Sequence, residues 1–290
     1  MGASTTEANT MSITLPAFTP AQESLFLTLG GRALDSRLAR PFLGDTMADK
    51  LITRIGYDLS KFPKLSTTKL DPRTKVFDIA VRAKRLDEVV RRFVIGHPEA
   101  VVLDLGAGLD GRVSRVEPPS TVGWYDVDFA EVVALRRQLL PQLAGAHNIG
   151  ADLTGDWLRD VPTDRPAVIV ADGVVPFLTQ HDFITLLNRL VTHFPSGELA
   201  FNTYTTYAIW AVKHTRAVAA IAGGVVNPGF NDPRQPEGWV NGLKLVEEIF
   251  MTRAPEVVEL PRSLRLTSRL AARSVAVSRI VGTVVLRYRF

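Results

Sequence analysis

VVLDLGAGLDGR, residues Val101 to Arg112, is the stretch that decides the fold. Its β-branched apolar run reads as a buried strand, and Gly106, Gly108 and Gly111 close a turn ahead of a helix. Glycine backbone approaches a nucleotide-like ligand closely, and the helix start behind it offers free N–H donors. The letters also match the GxGxxG dinucleotide fingerprint, so they point to a nucleoside ligand before they say which one.

Downstream of that stretch, strands are expected at Val101–Leu105, Val122–Val127, Asn148–Ala151, Ala167–Ala171 and Glu198–Asn202. Helices are expected between them near Ala130–Leu140, Thr154–Arg159 and Gln180–Phe194. The alternation predicts an α/β fold, a doubly wound and mostly parallel sheet with helices on both faces. Upstream, Ala21–Leu38, Asp45–Ile55 and Pro72–Ile95 carry apolar residues at helical spacing, so residues 21–98 read as a helical lid. Met1 to Pro20 reads as a flexible leader. After the fifth strand, a helix over Tyr207–Ala222 and the loop Gly223–Gly238 form an insertion over about 204–240. The β-rich Val275–Phe290 suits a closing antiparallel strand pair. Residues 21–290 thus form one domain, with the core over 99–290.

Composition excludes several function classes. A chain of 290 residues, 46% hydrophobic and 22% charged, is an ordinary globular protein that can bury a core. It has no cysteine, which removes disulfides, thiolate zinc sites and cysteine nucleophiles. Its five histidines are dispersed and its acids form no ligand cluster, so no metal is expected. Met1 to Thr10 lacks the apolar segment of a signal peptide, and Ile209–Val226 is too interrupted by charge to span a membrane. A cytoplasmic location is expected. The net charge of +4 rests on basic residues that read as a scattered, solvated surface, so no nucleic-acid partner is expected. Monomer and homodimer are both open.

Two acidic features bear on which nucleoside is held. Asp104 stands two residues before Gly106, where a carboxylate would face a pyrophosphate unfavourably but suits a ligand carrying an ammonium and a sulfonium. It tilts the reading from a nicotinamide dinucleotide toward S-adenosylmethionine. Asp126 and Asp128 end the second strand about twenty residues on, where an acid takes ribose hydroxyls in either case, and only one of the two need face the ligand.

The motifs taken together resemble the leucine carboxyl methyltransferase superfamily, and within it the bacterial polyketide O-methyltransferase branch of tetracenomycin type. The likeness runs from about Ser24 to the end of the chain. Arg82-Ala83-Lys84-Arg85-Leu86-Asp87 is similar to the family's R-T-R-x-x-D helix, whose first arginine grips the donor carboxylate. Leu105 to Arg112 resembles its LGAGLDTR loop, and Trp124 to Phe129 with Glu131-Val132 its aromatic-x-[DE]-x-D-x-PEV segment. The resemblance makes Asp128 the ribose ligand, and Asp152 and Leu153, ahead of Trp157, the adenine contacts. Asp172 and Gly173 with Phe177-Leu178 resemble the EGVLMYL motif that lines the donor, and Ile55 to Phe62 the IDYDFSKF stretch of the polyketide branch. Gly111, Ala130, Asp172 and Phe177 depart from the family's threonine, proline, glutamate and tyrosine. Asp172, one methylene shorter, is the weakest transfer.

The resemblance implies in-line methyl transfer from S-adenosylmethionine, leaving S-adenosylhomocysteine, to an oxygen of a small-molecule acid. A carboxylate acceptor is already ionised near neutral pH, with a pKa of roughly 4, so no general base is required. Arg32, Tyr204, Tyr207 and His214 are the candidates for holding it in line. A phenol or alcohol acceptor needs a base, for which His214 and His181 are candidates. A nicotinamide-dependent reductase and a donor-binding protein without turnover are the other classes left open.

Overall fold

The computed structural model describes residues 15, 17–59, 72–202, 204–214, 219–281 and 283–290. Its strands are β1 (Val101–Leu105), β2 (Gly123–Asp128), β3 (Ala146–Gly150), β4 (Ala167–Ala171), β5 (Gly197–Asn202), β6 (Lys244–Phe250) and β7 (Val284–Arg289). They form one sheet in the order β3-β2-β1-β4-β5-β7-β6. The first five strands are parallel, β7 is antiparallel to β5, and β6 is antiparallel to β7. The sheet is therefore doubly wound and mostly parallel, and its strand order reverses between β1 and β4. At such a switch point a crevice opens at the carboxyl ends of the strands.

Every residue of β1 and β4 is buried, because helices cover both faces of the central strands. Leu103 and Leu105 pack into one core with Ile169, Leu187 and Phe201. Val102 packs on the opposite face with Val90, Phe93 and Val168.

Among the described residues, three α-helices precede the sheet: α1 (Pro20–Ser36), α2 (Thr46–Ile55) and α3 (Pro72–Gly96). Thr19 and Gln22 form a reciprocal capping box that starts α1, with Pro20 in its first turn. Asp45 caps α2 by accepting from Ala48 N, and Gly56 closes it at φ 71°. The remaining helices are α4 (Arg112–Val116), α5 (Ala130–Leu139), α6 (Gln180–His193), α7 (Thr206–His214), α8 (Ala219–Ala222), α9 (Gln235–Trp239), α10 (Arg262–Ala271) and α11 (Val275–Val281). A third core joins α1, α2 and α5 through Leu29, Leu51, Leu109 and Leu135. No helix among the described residues is long and apolar enough to cross a membrane.

Several elements differ from expectation, each for a local reason. The helix expected over Thr154–Arg159 is a turn followed by a short 3-10 helix, Leu158–Asp160. Asp152 Oδ1 accepts from both Thr154 N and Thr154 Oγ1, a side-chain turn that competes with helix initiation. Val275–Val281 is helical rather than extended, since its buried Ser278 donates to Ala271 O and holds the segment against α10. The closing antiparallel pair exists, but the partner of β7 is β6, whose Lys244, Glu247 and Glu248 break the apolar alternation. Short α9 interrupts the loop expected over Gly223–Gly238. Residues 1–14 and 16 of the leader, residues 60–62 of the IGYDLSKF stretch and residues 215–218 of the Tyr207–Ala222 helix lie outside the described residues.

Candidate functional site

A cavity of ≈ 220 Å³ opens at the carboxyl ends of β1 and β4, and the glycine turn forms its floor. Gly106 and Gly108 adopt φ of 64° and 51°, in the left-handed region that a side chain resists. A Cβ on Gly106 would also stand 2.5 Å from Val174 Cγ2. The turn is held from β2, where Gly106 N donates to Val127 O at 2.8 Å and Gly108 N to Asp128 Oδ2 at 2.7 Å. The other Asp128 oxygen accepts from Phe129 N at 2.8 Å. Burial raises the Asp128 pKa even against those two N–H groups and Arg136.

Arg136 of α5 clamps the same turn from outside. Its Nη1 donates to the carbonyls of Gly108 (2.7 Å) and Asp110 (2.9 Å), its Nε to Asn148 Oδ1 (3.0 Å), and its Nη2 pairs with Asp126. Asp126 also accepts from Trp124 Nε1 at 2.8 Å. Asp126 and Asp128, two residues apart on a strand, share a face. Their height along β2 separates them: Asp128 reaches the cavity at the strand end, whereas Asp126 lies below, under Arg136.

The wall opposite comes from α3, β4 and β5. Arg82 Nε lies 2.6 Å from Asp172 Oδ1, and its Nη1 3.6 Å from Asp78. Asn202, buried at the end of β5, donates from Nδ2 to Asp172 Oδ1 (3.0 Å) and accepts from Gly173 N (2.7 Å). It sets the position of both. Asp152 and Leu153 line a third side.

Beneath the glycine turn runs a buried ionic network of four carboxylates and three guanidiniums. Arg112 reaches Asp87 (2.5 Å), Asp104 (2.8 Å) and Asp110 (3.2 Å). Arg115 reaches Asp45, Asp87 and Asp110, and Arg32 reaches Asp45 (3.0 Å) and Asp110 (3.7 Å). Burial opposes ionisation of Asp110, but Arg115, Arg32 and Arg112 outweigh it and hold its carboxyl well below the usual range. Asp104 has the opposite fate. Burial, with Asp126 and Asp110 nearby, outweighs Arg112 and pushes its pKa up to about 7. The network ties Arg32 of α1, the cap of α2 and Asp87 of α3 to the turn, so it fastens the lid to the floor.

The roof is apolar. Leu25 from α1, Val212 from α7, Ile221 from α8 and Phe177 close over the cavity. The hydroxyls of Ser24 and Thr28, which also line it, turn back to the carbonyls of Ala21 and Leu25.

The cavity thus brings together Arg32, Arg82, Asp104, Gly106, Gly108, Asp128, Asp152, Leu153 and Asp172, out of elements far apart in sequence. It does not bring in Asp126, Tyr204, Tyr207 or His214. Tyr204 is buried in the core against Phe230. Tyr207 and Trp210 face solvent, 48% and 54% exposed, and His214 stacks on Trp210. His181 is exposed in the first turn of α6. Arg112, Arg136 and Asn202 are the structural residues that motif reading passed over. Arg112 closes the quoted stretch itself, and its charge beside two aspartates was the available signal.

A family model described as leucine carboxyl methyltransferase matches residues 26–191. The tetracenomycin polyketide synthesis O-methyltransferase of Streptomyces glaucescens is 40% identical over 238 residues, covering 82% of this chain and 85% of its own. An S-adenosyl-L-methionine-dependent methyltransferase of Gibberella zeae is 30% identical over 247 residues, covering 80% and 83%. A crystal structure from Thermobifida fusca YX, classed with the methyltransferases, superposes with a TM-score of 0.51 over 89% of this chain and 93% of that one. At 17% identity that likeness speaks to the fold alone.

Proposed function

Because the chain belongs to the leucine carboxyl methyltransferase family, we propose that the switch-point cavity holds S-adenosylmethionine and that the acceptor is a small-molecule carboxylate. The enzyme is an S-adenosylmethionine-dependent O-methyltransferase. The residues present fit the donor. Five aspartates and three arginines line the cavity, a net negative surround that suits a ligand carrying a sulfonium and an ammonium. When bound, the donor supplies an electrophilic methyl group.

In this reading Arg82 holds the donor carboxylate, Asp128 the ribose hydroxyls, Asp152 and Leu153 the adenine, and Asp104 the cationic end. Gly106 and Gly108 let the backbone approach, and Asp172 keeps Arg82 aimed across the cavity. Residues 21–98 serve as the lid and residues 204–240 as the insertion over the acceptor, within one domain over 21–290. Arg32 works as a lid clamp, and Tyr204, Tyr207 and His214 stand outside the transfer step. The enzyme works in the cytoplasm as a monomer or homodimer.

One observation carries the carboxylate acceptor: among the described residues no histidine lines the cavity, and each aspartate there is already held. Arginines hold Asp104, Asp110 and Asp172, while backbone N–H groups hold Asp128 and Thr154 holds Asp152. A phenol would need a base, but an ionised acid needs none. Methyl transfer to a carboxylate also quenches a cation and an anion together, so the apolar roof favours it by excluding water. The role of the Streptomyces relative in polyketide synthesis supports a polyketide acid as the acceptor class.

A panel of polyketide, fatty and aromatic acids incubated with methyl-labelled donor tests the proposal. The product should be a base-labile methyl ester, formed with saturating donor at a rate that does not climb between pH 8 and 10, above the range where Asp104 ionises. A base-stable ether, a rate rising through a hydroxyl pKa, or binding of NAD(P)H in place of the methyl donor would overturn it.

A further inference from the structure

From Leu260 to Phe290 the chain has seven arginines and no aspartate or glutamate, so the residues before it carry a formal −3 against the total of +4. The basic residues are therefore not scattered. Arg279, Arg287 and Arg289 are absorbed by Glu248 and Glu247 of β6 and Glu198 of β5. Glu256 and Glu259, the last acids before the run, are consumed by Lys84, Arg85 and Arg73 of α3. Arg262, Arg265, Arg269 and Arg273 have no carboxylate within ion-pair distance among the described residues.

The same segment exposes apolar side chains. Leu266 and Leu270 of α10 are 60% and 52% exposed, and Val258, Val277 and Ile280 are exposed beside them in sequence. At helical spacing, Arg262 and Arg269 fall on the same side of α10 as Leu266 and Leu270, and Arg273 follows in the turn just after the helix. Leucines flanked by arginines that can extend past them match what an anionic lipid surface takes up.

Topology puts this surface on the functional edge of the sheet. β6 runs parallel to β5, since each is antiparallel to β7, so Phe250 ends at the edge where the cavity opens. The chain leaves the sheet after Phe250 and re-enters it at Val284, both at that edge. Thr283 donates to Asp78 at 2.8 Å, and Asp78 faces Arg82 of the cavity wall. The exposed Tyr207 and Trp210 of α7 follow β5 at the same edge, and such side chains favour membrane–water interfaces.

We propose that α10 and α11 form a peripheral docking surface for anionic phospholipid, which seats the cavity edge toward the bilayer. A second copy is disfavoured as the occupant, because a two-fold contact would set the arginines of α10 against themselves. Docking stands independently of the transfer chemistry. Only its consequence, entry of a lipophilic acid from the bilayer, rests on the carboxylate reading.

Flotation of the full chain with phosphatidylglycerol–phosphatidylcholine vesicles and with phosphatidylcholine alone tests it. Binding should require the anionic lipid and fall steeply with salt. R269S/R273S should weaken it by about 25-fold, from a factor of about five per arginine. L266S/L270S should weaken it at constant charge, and both variants should keep the wild-type circular dichroism. Equal binding to neutral vesicles, no flotation, or unchanged flotation of both variants would overturn the proposal. So would a concentration-dependent dimer that these variants dissolve, or capture by poly-aspartate without flotation, which would assign the surface to a second copy or an acidic protein. Donor binding by calorimetry is read separately, so its failure would touch the methyl-transfer reading and leave the docking surface standing.

Discussion

Asp104→Asn removes one of four carboxylates from the buried network while keeping an oxygen for the Arg112 Nε–H, 2.8 Å away. In the folded protein the Asp104 carboxyl titrates at about 7, against an ordinary value of 3.8. Between those values the folded state holds a proton that the unfolded chain has released, so the wild type loses stability as pH rises through the interval. At about 1.4 kcal/mol per pKa unit, the part of that loss lying between pH 5 and pH 8 comes to roughly 2–3 kcal/mol. Asparagine has no such proton. Asp110, held well below the usual range, stays ionised in this window, and the raised Asp128 is common to both proteins and drops out of the difference. Urea unfolding of both proteins at pH 5 and pH 8, at one ionic strength, should show D104N gaining roughly 2–3 kcal/mol on the wild type over the interval. A gap that is constant within about 0.5 kcal/mol, or that moves in favour of the wild type as pH rises, would refute the electrostatic account of the network.

Four further outcomes are expected. Arg82→Ala and Asp128→Ala should each weaken S-adenosylmethionine binding by roughly tenfold to a hundredfold, the range for a lost charge-assisted contact, and wild-type affinity in both would sink the donor assignment. Arg136→Met should cost about 3–5 kcal/mol in urea unfolding, because it strands the Asp126 carboxylate and the carbonyls of Ala107, Gly108 and Asp110; a loss under about 1 kcal/mol would mean that water replaces the clamp. Gly106→Ala should lower donor affinity, since it strains a φ of 64° and drives a methyl into Val174, whereas unchanged affinity would show that the turn can yield. His214→Ala should leave turnover within about twofold, and a loss of about a hundredfold or more, the scale of a removed general base, would restore the base reading.

Much of the site was legible because it is local. The β1 run, the turn of Gly106 and Gly108, and the acid at the end of β2 each sit within a few residues, where periodicity and glycine placement speak directly. Arg82 and Asp172 were legible by resemblance, though not their meeting at 2.6 Å. The roles of Arg112, Arg136 and Asn202 were not legible. Each is an ordinary polar residue on a helix or strand, and its importance comes from partners remote in the chain. The histidine and tyrosine candidates lie away from the cavity for the same reason, since strand-end position says nothing about which way a following helix turns its face.

By itself, the amino-acid sequence determined the alternating α/β order, the glycine floor and the nucleoside class of the ligand, because backbone dihedrals and burial patterns are properties of short segments. It also held the charge asymmetry after Glu259, unread until the acids before it were seen to be spent on α3. The tertiary structure placed Asp128 rather than Asp126 at the cavity, as the resemblance implied, and it alone decided that Asp104 is matched to Arg112. It alone left the cavity with no histidine among its described lining residues. Those outcomes depend on how high along a strand a carboxylate sits and on which guanidinium reaches it. Both are fixed only when helices close over the sheet and burial makes each charge choose a partner.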